Sequence, residues 1–195
     1  PTRRSSDLDG FLSVWSANYL CVHKFSAHND HPISALLKVP TSASKQIWTC
    51  SPNDSTLNVW DAHTMQLVRT QHFDFLPIHL TYNQPHVLMG TEEGMVFLLN
   101  PDTTDVLRRW KAHEMSITGI VYFSDINCVW TSSLDSKIRC WDMGSEEETL
   151  KEPQREINAH TKAITSLISV GSSFAVSGDM NGDVSLWCSR AEVYP

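Results

Sequence analysis

DSKIRCWD, residues 135–142, opens on a polar turn and runs into a short alternating strand that ends at Trp141. The same figure stands at DGFLSVW (9–15), DSTLNVWD (54–61) and NGDVSLWC (181–188). A degenerate copy, EGMVFLLN (93–100), puts Leu99 where the others have Trp. Trp15, Trp60, Leu99, Trp141 and Trp187 are spaced by 45, 39, 42 and 46 residues. Self-similarity at one such period marks an array in which each unit buries its apolar face against the next. Within each unit, apolar and polar residues alternate with period two between turn residues, the pattern of short half-buried strands. One unit reads ISALLKV, KQIWTCS, TLNVWD, MQLVRTQH across 33–72, and the next reads PIHLTYN, HVLMGTE, MVFLLN, VLRRWKAH across 77–113. A third, 117–160, runs through ITGIVYF, CVWTSSL and KIRCWD to EINAH. The unit at 164–188 stops after ITSLISV, SFAVSGD and DVSLWC, and FLSVW with YLCVHKF, inside 9–28, are the end of an earlier one.

A second set of residues keeps the same phase. Ala27-His28, Ala112-His113 and Ala159-His160 precede the first strand of a unit. Asp54 and Asp135 stand six residues before their Trp, with Asn181 in that place before Trp187, and Thr49, Thr131 and Ser177 put a hydroxyl on the preceding strand. On these residues the chain resembles the WD40-repeat family over 9–188, with Ala where the family usually has Gly before the His. The resemblance implies an all-β fold, a fragment of a WD40 β-propeller built of four-stranded antiparallel blades, with about four to five blades represented. It also implies buried hydrogen-bonded quartets, His28–Thr49–Asp54–Trp60, His113–Thr131–Asp135–Trp141 and His160–Ser177–Asn181–Trp187. Each of these polar groups is costly if buried alone, so a satisfied network is a structural device that also pins strand register. The blade at 77–113 departs from the pattern, with His72, Met89, Glu93 and Leu99 in the four positions, and an apolar substitute is expected there.

At 195 residues and 41% hydrophobic, the chain is long enough for a sizeable core. A formal net charge of -7 argues against a general affinity for nucleic acid or anionic membranes. No apolar run approaches the roughly 18 residues that span a bilayer. Five cysteines, at 21, 50, 128, 140 and 188, form no CxxC pair and their number is odd. Cys50, Cys128 and Cys140 lie in strand-like runs, where a reduced thiol acts as a small buried hydrophobe, and the usage points to a reducing, cytoplasmic compartment, the nucleus not excluded. Residues 1–8, PTRRSSDL, read as the in-frame translation of a sequencing adapter or as a disordered basic tail, expected to pack against nothing. The repeats start and stop mid-unit, so the native protein is expected to extend in both directions. Residues 9–195 alone are expected to associate through uncovered blade faces.

Nine His residues raise the question of metal or catalysis. The tightest cluster, His28-Asn29-Asp30-His31, has no further ligand at metal spacing, and His28 already has a quartet role, so no metal is expected. Asp, His and a hydroxyl together imitate a hydrolase triad, but a catalytic site occurs once per domain whereas this constellation recurs. No GxxxxGK loop is present, and neither cofactor nor catalytic residue is expected. Trp48 and Trp130, one residue before their quartet Thr, face the opposite side of the strand and are expected to pack between blades. An aromatic in that place also resembles propellers appended to Rho exchange factors and phosphoinositide phosphatases. Glu146-Glu147-Glu148 reads as a solvated acidic loop.

In the family, ligands meet the face where the loops leading into each blade approach the turns between second and third strands. The residues just before the turn Asp position are Asn53, Glu92, Leu134 and Met180. The leading loops add Asn29, Asp30, Glu114, Met115, Thr161 and Lys162. This mixture of acidic, amide and apolar groups suits a peptide with basic and apolar residues better than a phosphate. The expected function is a non-catalytic protein–protein interaction scaffold. The alternative is the accessory propeller of a larger signalling enzyme, such as a Rho guanine-nucleotide exchange factor or a phosphoinositide phosphatase.

Overall fold

The computed structural model describes residues 3–6 (by backbone alone), 9–41, 44–144 and 150–189. Strands β1 (Arg3–Ser6), β2 (Phe11–Trp15) and β3 (Cys21–Ser26) form the first blade. The second has β4 (Ala35–Pro40), β5 (Lys45–Ser51), β6 (Thr56–Asp61) and β7 (Leu67–His72). The third has β8 (Pro77–Asn83), β9 (His86–Thr91), β10 (Met95–Leu99) and β11 (Val106–Lys111). The fourth has β12 (Ile117–Phe123), β13 (Cys128–Ser133), β14 (Lys137–Asp142) and β15 (Arg155–Asn158). The fifth has β16 (Ile164–Val170), β17 (Phe174–Asp179) and β18 (Val184–Cys188). Within each blade the strands pair in chain order, antiparallel wherever the register is defined. The only helical piece among the described residues is a 3-10 turn at Ser124–Ile126. This is the all-β, four-stranded-blade architecture expected from the repeat.

The expectation that residues 1–8 pack against nothing is corrected for Arg3–Ser6, whose backbone pairs with β2, Arg3 opposite Trp15 and Ser6 opposite Leu12. A bare strand edge offers a row of N–H and C=O groups that any extended segment can meet, whatever its side chains. Pro1, Thr2, Asp7 and Leu8 lie outside the described residues, as do Glu146, Glu147 and Glu148.

The chain divides into two compact units, residues 1–87 with 100–104, and 88–99 with 105–195. In the second unit the fourth blade explains the alternation. Val129 pairs with Trp141 and Trp130 with Cys140, so the two Trp side chains leave opposite faces of one sheet. Trp141 is buried among Leu88, Val96, Trp110 and Ala112 of the third blade, its ring 5.9 Å from that of Trp110. Trp130 is buried with Ile164, Leu167 and Ala175 of the fifth blade, edge-on to Phe123 at 5.2 Å. In the first unit Trp60 packs with Leu12, Ala27 and Ile47, and lies 4.9 Å from Phe25. Trp48 is fully buried and its indole N–H donates to Gln46 Oε1 at 2.9 Å, while β8 runs beside β4 and β5.

One turn recurs five residues before each Trp position. Gly10, Ser55, Gly94, Ser136 and Gly182 all have positive φ, at 73°, 54°, 81°, 67° and 87°. The second and third strands of a blade can be joined this tightly only through a left-handed residue, which is why Gly holds three of the five places. The carbonyl of this residue then receives the chain leaving the outer strand. Gly10 O accepts from the Ala27 and His28 N–H groups at 2.8 and 3.3 Å, and Gly94 O from Ala112 and His113 at 2.9 and 3.0 Å. Ser136 O accepts from His160 at 3.4 Å, and Ser55 O from Phe73 at 2.9 Å.

Candidate functional site

Each of the three repeat His residues sends its ring into the blade that follows it. His113 Nδ1 lies 2.8 Å from Asp135 Oδ2 and Nε2 lies 2.8 Å from Thr131 Oγ1, which also accepts the Trp141 indole N–H at 3.0 Å. His28 repeats this with Asp54 Oδ2 at 3.0 Å and Thr49 Oγ1 at 2.8 Å, the Trp60 N–H donating to Thr49 at 3.0 Å. A hydroxyl has one proton and two lone pairs. The indole donates to the hydroxyl, whose remaining capacity faces His Nε2 and the backbone carbonyl of Asn58 or Arg139, at 3.5 and 3.4 Å, while Nδ1 meets the carboxylate. Thr49, Thr131 and Ser177 are fully buried. A nucleophile must reach a substrate carbonyl, and a hydroxyl sealed beneath an indole has no approach. The geometry is that of a structural network.

The third quartet needs a correction. His160 Nε2 lies 2.6 Å from Ser177 Oγ, which accepts the Trp187 N–H at 2.7 Å, but Nδ1 faces Asp179 Oδ2 at 3.2 Å and not Asn181. Asn181 is exposed, and its backbone N–H donates to Asp179 Oδ1 at 2.9 Å. The physical reason is charge. An amide oxygen is a weaker acceptor than a carboxylate, and Asp179 at the end of β17 supplies one while its other oxygen caps the turn. Asp183 N–H also donates to Asp179 Oδ1, at 3.0 Å.

In the third blade Met89 and Leu99 are both fully buried in place of the hydroxyl and the indole. His72 is exposed and Glu93 half-buried.

Other members of the network were not singled out from sequence. Asn58, two residues before Trp60, donates from Nδ2 to Ala27 O at 2.8 Å and accepts from Thr70 Oγ1 at 2.7 Å. Arg139, two before Trp141, donates from Nη1 to Ala112 O at 2.6 Å and from Nε to Glu156 Oε2 at 2.8 Å. Both therefore hold the carbonyl of the Ala before the His. Thr56 joins the second blade, its hydroxyl donating to Asp54 Oδ1 at 2.6 Å. The signal available in the sequence was the shared offset from the Trp, although Asn and Arg share little else.

Burial pushes the Asp135 carboxyl up, and this is outweighed by the hydrogen bond from His113, the attraction to His113, the Lys137 backbone N–H and the Arg139 charge, leaving it below the ordinary carboxylate range. A depressed folded-state pKa contributes stability that is complete above the unfolded value and fades as the pH falls through the folded one. Asp135→Asn should therefore cost stability at neutral pH, and its deficit against the native chain should shrink below about pH 4. Paired denaturation curves across that range check this, and a deficit that grows on acidification would contradict it. Burial also pushes the thiols of Cys50 and Cys140 up to about 12 and that of Cys128 to about 11, so all three stay protonated. Cys21 and Cys188 are exposed, and all five are free.

In the second unit, leading loops and turns meet directly. Leu134 N–H donates to Ser116 O at 3.1 Å, and Met180 N–H to Ala163 O at 3.0 Å. At this end Glu92, Glu114, Met115, Thr161, Lys162 and Met180 are exposed, and Leu134 is half-buried. In the first unit Asn29, Asp30 and Asn53 are exposed. His28 is committed to its quartet, and among the described residues no group of three or more His, Cys, Asp or Glu is disposed to hold a metal ion. No helix among the described residues is long and apolar enough to cross a membrane.

Among known families, residues 104–142 and 151–188 match the model of the WD domain, G-beta repeat. Peptidyl-prolyl cis-trans isomerase 9 of Schizosaccharomyces pombe is 23% identical over 176 residues, covering 84% of this chain and 27% of that protein. Denticleless protein homolog of Danio rerio is 30% identical over 74 residues, covering 34% of this chain and 11% of that protein. The chain thus spans about a quarter and about a tenth of the two curated relatives it matches. Among solved structures, the WD40 beta propeller domain of Doa1 superposes with a TM-score of 0.79 at 19% identity, covering 97% of this chain and 61% of that one. Residues 104–142 and 151–188 thus match WD repeats, and with a hydrogen-bonded quartet in three of its blades the chain is similar in fold to a WD40 propeller domain.

Proposed function

We propose that this chain is a non-catalytic interaction scaffold in the cytosol, holding protein or peptide ligands at the end of its blades where loops meet turns. One observation carries the reading. Met180 is 71% exposed at a turn tip whose backbone is pinned to the adjacent leading loop, beside exposed Thr161 and Lys162. A large apolar side chain held rigidly in water, above a blade stiffened by a buried polar network, is a pre-organised contact. Exposed Glu92 and Glu114 on the same unit favour a partner that offers basic groups beside apolar ones. The net charge of -7 weighs against nucleic acid as that partner.

The test is a triple variant, Glu114→Lys, Lys162→Glu and Met180→Asp, made in the full-length protein. Partners are identified by crosslinking, with Leu67→Asp on an outer strand as the control. The scaffold reading expects the triple variant to lose partners that the control keeps, with both melting as the native protein does. An unchanged partner set would sink it.

A second reading, the accessory propeller of a larger enzyme, draws support from the fraction of the relative that is matched. That relative carries an isomerase name, and this chain aligns with 27% of it. The same reading includes signalling enzymes such as Rho exchange factors or phosphoinositide phosphatases. A catalytic domain in the complete open reading frame would establish it.

A further inference from the structure

The described outer strands β3, β7, β11 and β15 end on Ser26, His72, Lys111 and Asn158, so only the third blade ends its outer strand on an ammonium. Lys111 Nζ donates to Glu93 O at 2.7 Å and stands 3.8 Å from Glu114 Oε2. It thereby joins the turn of the third blade to the loop leading into the fourth, within one compact unit. The two contacts differ in strength. The first is a short bond to a backbone carbonyl and fixes the ammonium in place. The second is long, between side chains 46% and 79% exposed, and a pair so exposed contributes little. A carboxylate has about four acceptor sites, so Glu114 keeps room for the donors of a ligand.

We propose that Lys111 is a specificity-determining residue of the loop face, a built-in cation that limits how much positive charge a ligand can bring to Glu114. The inference rests on the reading of that face as a site for basic and apolar peptides. A ligand ammonium or guanidinium that bonds Glu114 comes within a few ångströms of Lys111 Nζ, which cannot withdraw without breaking its bond to Glu93 O. Two like charges about 4 Å apart in water repel enough to shift an equilibrium roughly fivefold. The repulsion grows with every further cation on the ligand. Met115, next to Glu114 and 48% exposed, offers an apolar contact that this charge does not touch. The face is therefore matched to an apolar peptide with a single basic residue, and it discriminates against a polybasic one.

The experiment uses the full-length protein and two fluorescein-labelled hexapeptides of leucine and alanine, one carrying a single lysine and the other three. Anisotropy titrations compare the native protein with Lys111→Met, Lys111→Gln and Glu114→Gln, at low and high salt. Two neutral variants are used so that a folding defect in one does not decide the outcome. The proposal expects both to tighten the single-lysine peptide roughly fivefold and the three-lysine peptide further, with the gain shrinking at high salt. Glu114→Gln should weaken both peptides. Neutral variants that bind as the native protein does, or more weakly, while Glu114→Gln weakens both peptides, would overturn the role of Lys111 and leave the reading of the face standing. Binding indifferent to Glu114→Gln as well would overturn both.

Discussion

Gly94→Ala is expected to destabilise the chain by roughly 3–5 kcal/mol, because its Cβ would make the closest contact of any glycine among the described residues. Two causes act together. At φ 81° an L side chain is strained, and the added Cβ falls 2.1 Å from His113 O and 2.7 Å from Met115 O, both backbone atoms. Backbone has no rotamer with which to give way, so the turn must separate from the outgoing chain and release the two bonds at Gly94 O. Gly182→Ala provides the comparison. Its φ is 87° but its Cβ meets nothing within 4 Å among the described residues, so strain alone is expected, about 1 kcal/mol. Equilibrium denaturation of both variants separates the causes, and near-equal losses would show that the close approach carries no weight.

Thr131→Val is the second large expected effect. Valine keeps the shape of threonine and removes its oxygen, and that oxygen serves both the Trp141 N–H and His113 Nε2. Both groups are fully buried, so each is left unsatisfied at about 1–3 kcal/mol. Trp141→Phe removes the indole donor and leaves the hydroxyl with His113, so it should lose less than the hydroxyl variant in hydrogen bonding. Coupling between the two, measured by a double-mutant cycle, should be positive and large. A valine variant that unfolds at the native denaturant midpoint would refute the network as a source of stability.

Most of the fold was legible because its signals are local. A Trp or Leu every 39 to 46 residues sets the phase of the repeat, and strand parity sends Trp130 and Trp141 to opposite faces, both of them covered. His28, His113 and His160 were legible for the same reason, since each keeps one place in the repeat, two residues past the end of an outer strand. The acid of the third quartet was not. The offset from Trp187 points to Asn181, but the turn there runs from Asp179 to Val184, and the acceptor strength of a carboxylate selected the earlier residue. Asn58 and Arg139 escaped notice because they perform one task, holding an Ala carbonyl, with unrelated chemistry. The pairing of Arg3–Ser6 was not legible either, because an edge strand recruits backbone and leaves no mark on side chains.

Each repeat His is bound at both ends of its own residue, backbone to the blade it leaves and ring to the blade it joins. Thermodynamically this resembles a linear lattice with nearest-neighbour coupling, in which no blade owns its stability outright. The ring bonds of His113 span 18 and 22 residues of sequence, so each coupling closes over a short loop and forms without waiting for distant chain. In such a lattice folding can nucleate at any blade and propagate to its neighbours, and loosening at one His weakens both blades it joins. The third blade, which enters through Phe73 and carries Met89 and Leu99 where others have Thr and Trp, lacks the ring half of that link. Cooperativity is therefore weakest at that blade, and partial unfolding has its natural boundary there.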